Sequence, residues 1–148
     1  MDEPLKRSVG WLQMTKEKFL FNWSDAWLLL AIGFASKRGP ATLETIVAAG
    51  DGINFAIFRA DELESGLARL ANAGYIVENA GAFSLTEKVK PHSESFLAKL
   101  RSMDKRLSDV QHMLGAASAW DHQPHKNNLR YAGFSKEEYE KAVKRYQG

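Results

Sequence analysis

The chain has 148 residues, of which 45% are hydrophobic and 26% charged, and its net charge is +2. These values are typical of one globular domain with short extensions, and the small charge argues against a surface built for dense phosphate contact. The absence of cysteine excludes disulfides, thiolate catalysis and cysteine-based zinc sites, and it fits a cytoplasmic location. No signal peptide or membrane-spanning segment is evident, since the longest apolar run, residues 26–35, is too short to cross a bilayer.

The start of the chain is rich in apolar and aromatic side chains, but their spacing fits a helix and a strand equally well. Because large aromatic side chains are mostly buried, we expect residues 1–23 to form an N-terminal extension that packs on the core. The next segment, residues 24–37, is predicted to be a helix that is apolar on nearly all sides and therefore buried. Ser24 is expected to cap its start, and Gly39 followed by Pro40 is a typical stop signal.

A second, shorter helix is predicted over residues 43–49, with Thr42 as its cap and Gly50 as its end. The connection that follows, residues 51–58, is apolar, so we expect it to fold into the core, with or without a turn of helix. The glycines on either side of Asp51 do not indicate a phosphate-binding loop, because they follow a helix and lack the lysine that ends such a motif.

Residues 60–73 are predicted to form a third helix with both ends marked. Its inner face is defined by three leucines at helical spacing: Leu63, Leu67 and Leu70. Phe58 and Leu63 have the spacing of a hydrophobic staple, which fixes the start of a helix. Gly74 follows the last periodic residue and can take the left-handed conformation that ends a helix.

The third helix is followed by two short predicted strands, residues 75–78 and 82–86, joined by a tight turn. The order of helix, glycine, strand, turn and strand resembles the last helix and wing of the winged-helix (winged helix-turn-helix) family. The resemblance is loosely to regulators of the PadR and MarR type, and it covers residues 23–89. It implies a mostly α fold with a small β-hairpin, in which three helices form the core and a short strand lies near Ala41. The long apolar connection after the second helix departs from the family, which usually has a tight turn there.

The resemblance also implies a function. In the winged-helix family the third helix lies in the major groove of DNA, and the hairpin touches the backbone or the minor groove. Double-stranded DNA is therefore an expected partner, with a role in transcription regulation. The residues expected to contact it lie on the outer stripe of the third helix and at the wing tip: Ser65, Arg69, Asn72 and Asn79. Arginine and asparagine are the side chains best suited to bidentate contacts with guanine and adenine.

Two features argue against DNA and support a second hypothesis. The first turns of the third helix carry Asp61, Glu62 and Glu64, which would repel phosphate. The wing tip, residues 79–82, contains no lysine or arginine. The alternative is a winged-helix protein-interaction module that does not bind DNA and whose acidic helix face binds a basic protein partner.

The winged-helix domain is predicted to span residues 24–90, and residues 91–115 are predicted to form one long helix. The apolar residues of this helix recur at alternating steps of four and three, the spacing of a coiled-coil seam. The seam consists of Phe96, Leu100, Met103, Leu107, Val110 and Leu114. It can pack against the N-terminal extension and the first helix, or pair with the same helix of a second subunit. The resemblance to PadR- and MarR-type regulators favours the second possibility, a homodimer.

The last part, residues 116–148, combines a linker with a C-terminal helix. Ser135 and Glu138 have the spacing of a capping box at the start of this helix. The side chains expected to dock it on the body are Phe134, Tyr139, Val143 and Tyr146. His122 and His125 could hold a metal ion, but they lie in the predicted linker without other ligands, which favours a solvated loop. No catalytic or cofactor motif is recognised, so neither an enzyme activity nor a cofactor is predicted.

Overall fold

The structure, a computed structural model, describes residues 21–98, 100–116 and 130–148. In these ranges the chain forms six helices and one antiparallel β-hairpin. The helices are α1 (Trp23–Arg38), α2 (Leu43–Asn54), α3 (Ala60–Asn72), α4 (Lys90–Phe96), α5 (Met103–Leu114) and α6 (Lys136–Gln147), and the strands are β1 (Ile76–Asn79) and β2 (Ala82–Leu85). The predicted mostly α fold with a small hairpin is therefore confirmed. None of these helices is both long and apolar enough to cross a membrane, and nearly all of the predicted N-terminal extension lies outside the described ranges.

Helix α1 lies at the centre of the core and contacts α2, α3, α5 and β2. As its apolar character predicts, every side chain from Ala26 to Ile32 is fully buried. The helix begins earlier than predicted, because Asn22 rather than Ser24 occupies the capping position. The backbone N–H of Asn22 donates to the Asp25 carboxylate at 2.8 Å, which fixes this start, and Ser24 is buried within the helix.

Helix α2 runs to Asn54, past the end predicted at Gly50. Its start is as predicted, since the Thr42 hydroxyl accepts a hydrogen bond from a backbone N–H of the first turn. Gly50 lies inside the helix, at a position where the core leaves no room for a side chain. A Cβ atom there would lie 2.3 Å from the Phe58 ring. The indole N–H of Trp27 also donates to the Gly50 carbonyl at 2.9 Å. Close packing rather than helix termination therefore explains this glycine.

Helix α3 packs closely against α1. The predicted staple residues, Phe58 and Leu63, lie on either side of its first turn and are both fully buried. At Gly66 the two helices approach so closely that a Cβ atom would lie 2.7 Å from Leu28. The helix is followed by Gly74 with a φ of +85°, the left-handed conformation predicted for it.

The hairpin of β1 and β2 packs beside α1. Its strands pair in register from Ile76 and Leu85 to a tight turn, whose two residues both have a positive φ. Shortly before α2, Ala41 forms a single β-bridge with Phe83, whose N–H donates to the Ala41 carbonyl at 3.0 Å. The short strand expected near Ala41 is thus reduced to one bridge, which ties the loop after α1 to the hairpin.

The prediction of one long helix over residues 91–115 is wrong, because the chain forms two helices, α4 and α5, that contact each other. The buried Arg106 explains the break. Its guanidinium donates to the carbonyl groups of Phe96 and Arg101 at 3.2 and 2.9 Å, so the connection between the helices folds around this side chain. Ser102 then caps α5 through a hydrogen bond from the first turn.

The predicted coiled-coil seam is divided by the same break. Most of its members pack within their own chain, where α5 lies against α1: Phe96, Met103, Leu107, Val110 and Leu114. Leu100 lies between the two helices and is fully exposed. The continuous helix that was to carry the seam is therefore wrong, whereas the homodimer itself stays a prediction.

Candidate functional site

Arg69, the side chain expected to read DNA from α3, is buried instead. It is 7% exposed, and its guanidinium forms an ion pair with Asp25 of α1, with two N–O distances of 2.7 and 3.0 Å. Asp25 is fully buried and also accepts the hydrogen bond at the start of α1. The predicted outward orientation of Arg69 is therefore wrong, because a charge partner 44 residues away in the chain holds it between two helices.

Ser65 was also expected on the outer stripe of α3, and that prediction is wrong as well, since the residue is 2% exposed. Glu62, Ser65, Gly66 and Arg69 share one stripe of the helix. The close approach of α1 at Gly66 covers part of this stripe, so α3 is buried beyond the single face that its leucines predict. The remaining predicted DNA contacts, Asn72 and Asn79, are exposed, and their contact with DNA stays a prediction.

Five carboxylates lie at the surface of α2, the first half of α3 and the hairpin. We define the acidic face as Glu44 and Asp51 of α2, Asp61 and Glu64 of α3, and Glu78 of β1. The C-terminal segment, defined as residues 130–148, lies on this face. Its contacts begin at the hairpin and end on α2.

Helix α6, the main part of the C-terminal segment, packs on α2. Arg145 forms an ion pair with Glu44 at 3.0 Å, and the Tyr146 hydroxyl donates to Asp51 at 2.7 Å. The Tyr139 hydroxyl donates at 2.6 Å to a backbone carbonyl at the entrance to α3. Three polar side chains of α6 therefore bind the acidic face or its edge.

The residues that precede α6 extend these contacts to the hairpin and to α3. The Tyr131 hydroxyl donates to Glu78 at 2.6 Å. Arg130 lies 3.6 Å from Glu64, measured between the guanidinium nitrogen and the carboxylate oxygen. Four of the five carboxylates of the acidic face thus meet a hydrogen-bond donor or a cation from the C-terminal segment.

The same contacts raise the pKa values of the three tyrosines. Burial and the hydrogen bond to Glu78 raise the pKa of Tyr131 to about 12. Burial and the negative charges at the start of α3 raise the pKa of Tyr139, and the hydrogen bond to Asp51 raises the pKa of Tyr146. All three phenols therefore remain protonated donors at neutral pH.

Asp61, the fifth carboxylate, binds Arg59, which precedes it by two residues in the chain. Burial opposes its ionisation, but two hydrogen bonds of 3.0 Å from Arg59 and the charge of that guanidinium outweigh this effect. The pKa of the Asp61 carboxyl therefore lies below its usual value, and the residue contributes a negative charge at neutral pH.

The apolar contacts of the C-terminal segment follow the prediction but are limited. The predicted docking side chains are all partly buried against the core: Phe134, Tyr139, Val143 and Tyr146. The only fully buried side chain of α6 is Ala142. Ser135 caps the helix as predicted by accepting a 3.2 Å hydrogen bond from the N–H of Glu138. The segment is thus attached by polar contacts together with partly buried aromatic and aliphatic side chains.

Two cavities adjoin α2. One of about 210 Å³ lies between the hairpin, the start of α2 and α6, and its charged lining includes Glu78, Glu138 and Arg145. The other, of about 520 Å³, lies between α1, α2 and Met103. Its described walls are mostly apolar, with Arg38 as their charged residue, so it lacks the converging polar groups that orient a small ligand.

Among the described residues, no group of three or more histidine, aspartate or glutamate side chains is placed to hold a metal ion. His122 and His125 lie outside those residues, so both interpretations of the pair stay open. No model of a known protein family, no curated protein and no solved structure matches this chain.

Proposed function

We propose that this chain is a winged-helix protein-interaction module whose acidic face binds a basic segment of a protein partner. The order of elements supports the winged-helix assignment: α1, a bridging residue, α2, α3 and a hairpin. In this assignment α3 is the third helix of the core, and the hairpin is the wing. Ala41 is the remnant of the first strand, since it pairs with Phe83 of the hairpin.

One observation carries the proposal: the acidic face already binds cations and phenols from within the chain. Glu44 and Glu64 each meet an arginine, and Asp51 and Glu78 each accept a hydrogen bond from a tyrosine. A surface that is complementary to such donors suits a basic, tyrosine-containing protein segment. It would repel a polyanion such as DNA, because the phosphates would lie against the same carboxylates.

DNA is the competing partner, and the position of the expected base-reading groups argues against it. Two of the three side chains of α3 that were expected to contact bases, Ser65 and Arg69, are buried, and only Asn72 is exposed. The wing tip, residues 79–82, remains without a lysine or arginine to neutralise phosphate. DNA binding through α3 and the wing would require exposed positive charges that attract phosphate, and the wing tip supplies none.

Fluorescence anisotropy with two labelled probes tests the proposal on the full chain at low salt. The first probe is a random-sequence DNA duplex, and the second is a designed helical peptide that carries lysine and tyrosine on one face. We expect the peptide to bind and the duplex to remain unbound. Added to Arg130→Ala and Arg145→Ala, which already remove the ion pairs of the C-terminal segment with these carboxylates, Glu44→Gln and Glu64→Gln should weaken peptide binding, because the attraction to two carboxylates is lost.

A matched control is Glu94→Gln, which removes the same charge from an exposed residue of α4 outside the acidic face. This variant should bind the peptide like the wild type. Salt-dependent binding of the duplex by the wild type, unchanged by the substitutions at Glu44 and Glu64, would overturn the proposal in favour of DNA.

A further inference from the structure

The C-terminal segment occupies the surface that the proposed function assigns to a partner. We infer that this segment is an internal competitor, and that the partner is a protein helix which carries the residue pattern of α6 and displaces it. The inference rests on the proposed function and adds to it the pattern of the partner and the way in which the face becomes accessible.

The pattern is defined by the side chains with which α6 docks. Tyr139, Val143 and Tyr146 are spaced at i, i+4 and i+7, so they share one face of the helix. The two hydroxyl anchors on this face are roughly 10 Å apart along the helix axis, given a rise of about 1.5 Å per residue. Arg145 adds a cation for Glu44 beside the second tyrosine. A competing helix therefore needs two tyrosines seven residues apart, an aliphatic residue between them and a neighbouring arginine.

The ion pairs that attach the segment are exposed to water, so a competing helix can replace them. The ion pair of Arg145 and Glu44 joins side chains that are 58% and 42% exposed, and Arg130 is 88% exposed. Ion pairs at such exposure contribute little, because water and salt screen them. Burial adds the contacts of five partly buried side chains and of the one fully buried side chain of α6, Ala142; the five are Tyr131, Phe134, Tyr139, Val143 and Tyr146.

The body beneath the segment has its own core and does not need α6 to fold. The largest buried side chains lie in other elements, chiefly on α1, α2 and α3. The ion pair between Asp25 and Arg69 and the close approach at Gly66 join α1 to α3 without a contribution from the segment. Release of α6 would therefore expose the acidic face on a folded domain.

Covalent attachment gives the segment an advantage over any partner in solution. A tethered ligand acts at an effective concentration of the order of millimolar. A partner helix must overcome this concentration in the wild type, and it binds more tightly when the contacts of the segment are weakened. The affinity difference between the two forms of the chain is therefore the measurable sign of an internal competitor.

A labelled synthetic peptide with the sequence of residues 130–148 serves as the probe for the partner helix. The full chain is compared with a released variant that combines Tyr139→Phe, Arg145→Ala and Tyr146→Phe. We expect the peptide to bind the released variant about tenfold or more tightly than the wild type. Lys144→Ala is the matched control, because Lys144 is exposed on the same helix and forms no ion pair among the described residues. It should leave the affinity of the wild type unchanged.

A second set of substitutions locates the binding surface. Added to the released variant, Glu44→Gln and Asp51→Asn should lower the affinity for the peptide at least tenfold, whereas Glu94→Gln should not change it. Equal affinity of the peptide for the wild type and the released variant would overturn the inference. Binding that is insensitive to Glu44 and Asp51 would overturn it as well.

Two further readouts separate the possible failures. Circular dichroism reports whether the released variant is folded, and the single variant Tyr146→Phe, with one hydroxyl removed, provides the same comparison if it is not. Light scattering that finds a dimer for the wild type and a monomer for the released variant would make the occupant a second copy of this chain and overturn a different protein partner. Duplex DNA binding, in contrast, would overturn the proposed function itself.

Discussion

The ion pair between Asp25 and Arg69 and the ion pair between Glu44 and Arg145 have similar lengths, 2.7 and 3.0 Å, in opposite surroundings. The first lies between α1 and α3 with almost no exposure of either side chain. The second lies between α2 and α6, where both side chains are about half exposed. Water and dissolved salt screen the second pair far more than the first. The N–O distance of an ion pair therefore does not tell whether its interface can open while the protein remains folded.

The difference between these regions is a difference in burial around the pairs. The interface of α1 and α3 combines its ion pair with fully buried leucines and a glycine that allows close contact. The interface of α2 and α6 combines its ion pair with tyrosine hydroxyl groups and partly buried rings. The first interface should fail only when the protein unfolds, and the second should open while the body remains folded.

The largest expected effect is that of Arg69→Met, which leaves the Asp25 carboxylate buried without its cation. We expect the free energy of unfolding to fall by about 3–5 kcal/mol, the range for removal of one partner of a buried ion pair. Chemical denaturation measures this change. Adding Asp25→Asn should recover much of the loss, because no unpaired charge remains inside. A single variant as stable as the wild type would show that Arg69 is exposed in solution.

Leu67→Ala tests the apolar packing of α3 within the core. Leu67 is 1% exposed, so we expect a loss of about 2–5 kcal/mol in thermal or chemical unfolding, the range for a buried leucine. The matched control is Leu100→Ala, since Leu100 is fully exposed between α4 and α5. This control should change stability by less than about 0.5 kcal/mol. Equal effects of the two substitutions would mean that the packing of α3 is wrong.

Tyr131 gives the attachment of the C-terminal segment a dependence on alkaline pH. Its pKa is raised to about 12 in the folded protein, compared with about 10 for a free tyrosine. The neutral phenol is thus the form that binds Glu78, so its contribution is complete below pH of about 10 and is lost as the pH rises through about 12. Absorbance at a phenolate wavelength should show a tyrosine that titrates late and that is missing from Tyr131→Phe. The same titration curve per tyrosine in both proteins would argue against this contact.

The smallest expected effect is that of Arg145→Ala. Its exposed ion pair with Glu44 should contribute about 0.2–1 kcal/mol to the attachment of α6 at low salt and almost nothing at high salt. Lys144→Ala removes a charge from the neighbouring position and should have no effect at either salt concentration. Hydrogen exchange of α6 measures both variants. A salt-independent loss in Arg145→Ala would indicate a role in packing rather than an exposed ion pair.

Most features that depend on neighbouring residues were predictable from the sequence, although the cap of α1 is Asn22 and not the predicted Ser24. The cap at Thr42, the staple of Phe58 and Leu63 and the left-handed Gly74 are all present, since each requires only residues a few positions apart. The hairpin and the cap at Ser135 are correct for the same reason. These local signals determined the kind and order of most elements.

Features that depend on distant residues were not predictable. Gly50 has the sequence position of a helix end, but it lies inside α2, and the ring of Phe58 packed against it explains why the residue is a glycine. The spacing from Phe96 to Leu114 fits one helix, but Arg106 turns the chain between α4 and α5. Arg69 lies on the polar side of its own helix, and nothing near it in the sequence indicates Asp25 as a partner. The acidity of the surface was visible in the sequence, whereas its coverage by the C-terminal segment was not.

Native-state hydrogen exchange under increasing denaturant, at low and high salt, tests most directly whether the C-terminal segment opens separately from the body. We expect the amides of α6 to exchange through a local opening that depends little on denaturant and becomes more frequent at high salt. The amides of α3 should exchange only through global unfolding. Exchange of α6 and α3 with the same free energy, the same denaturant dependence and no effect of salt would contradict the account.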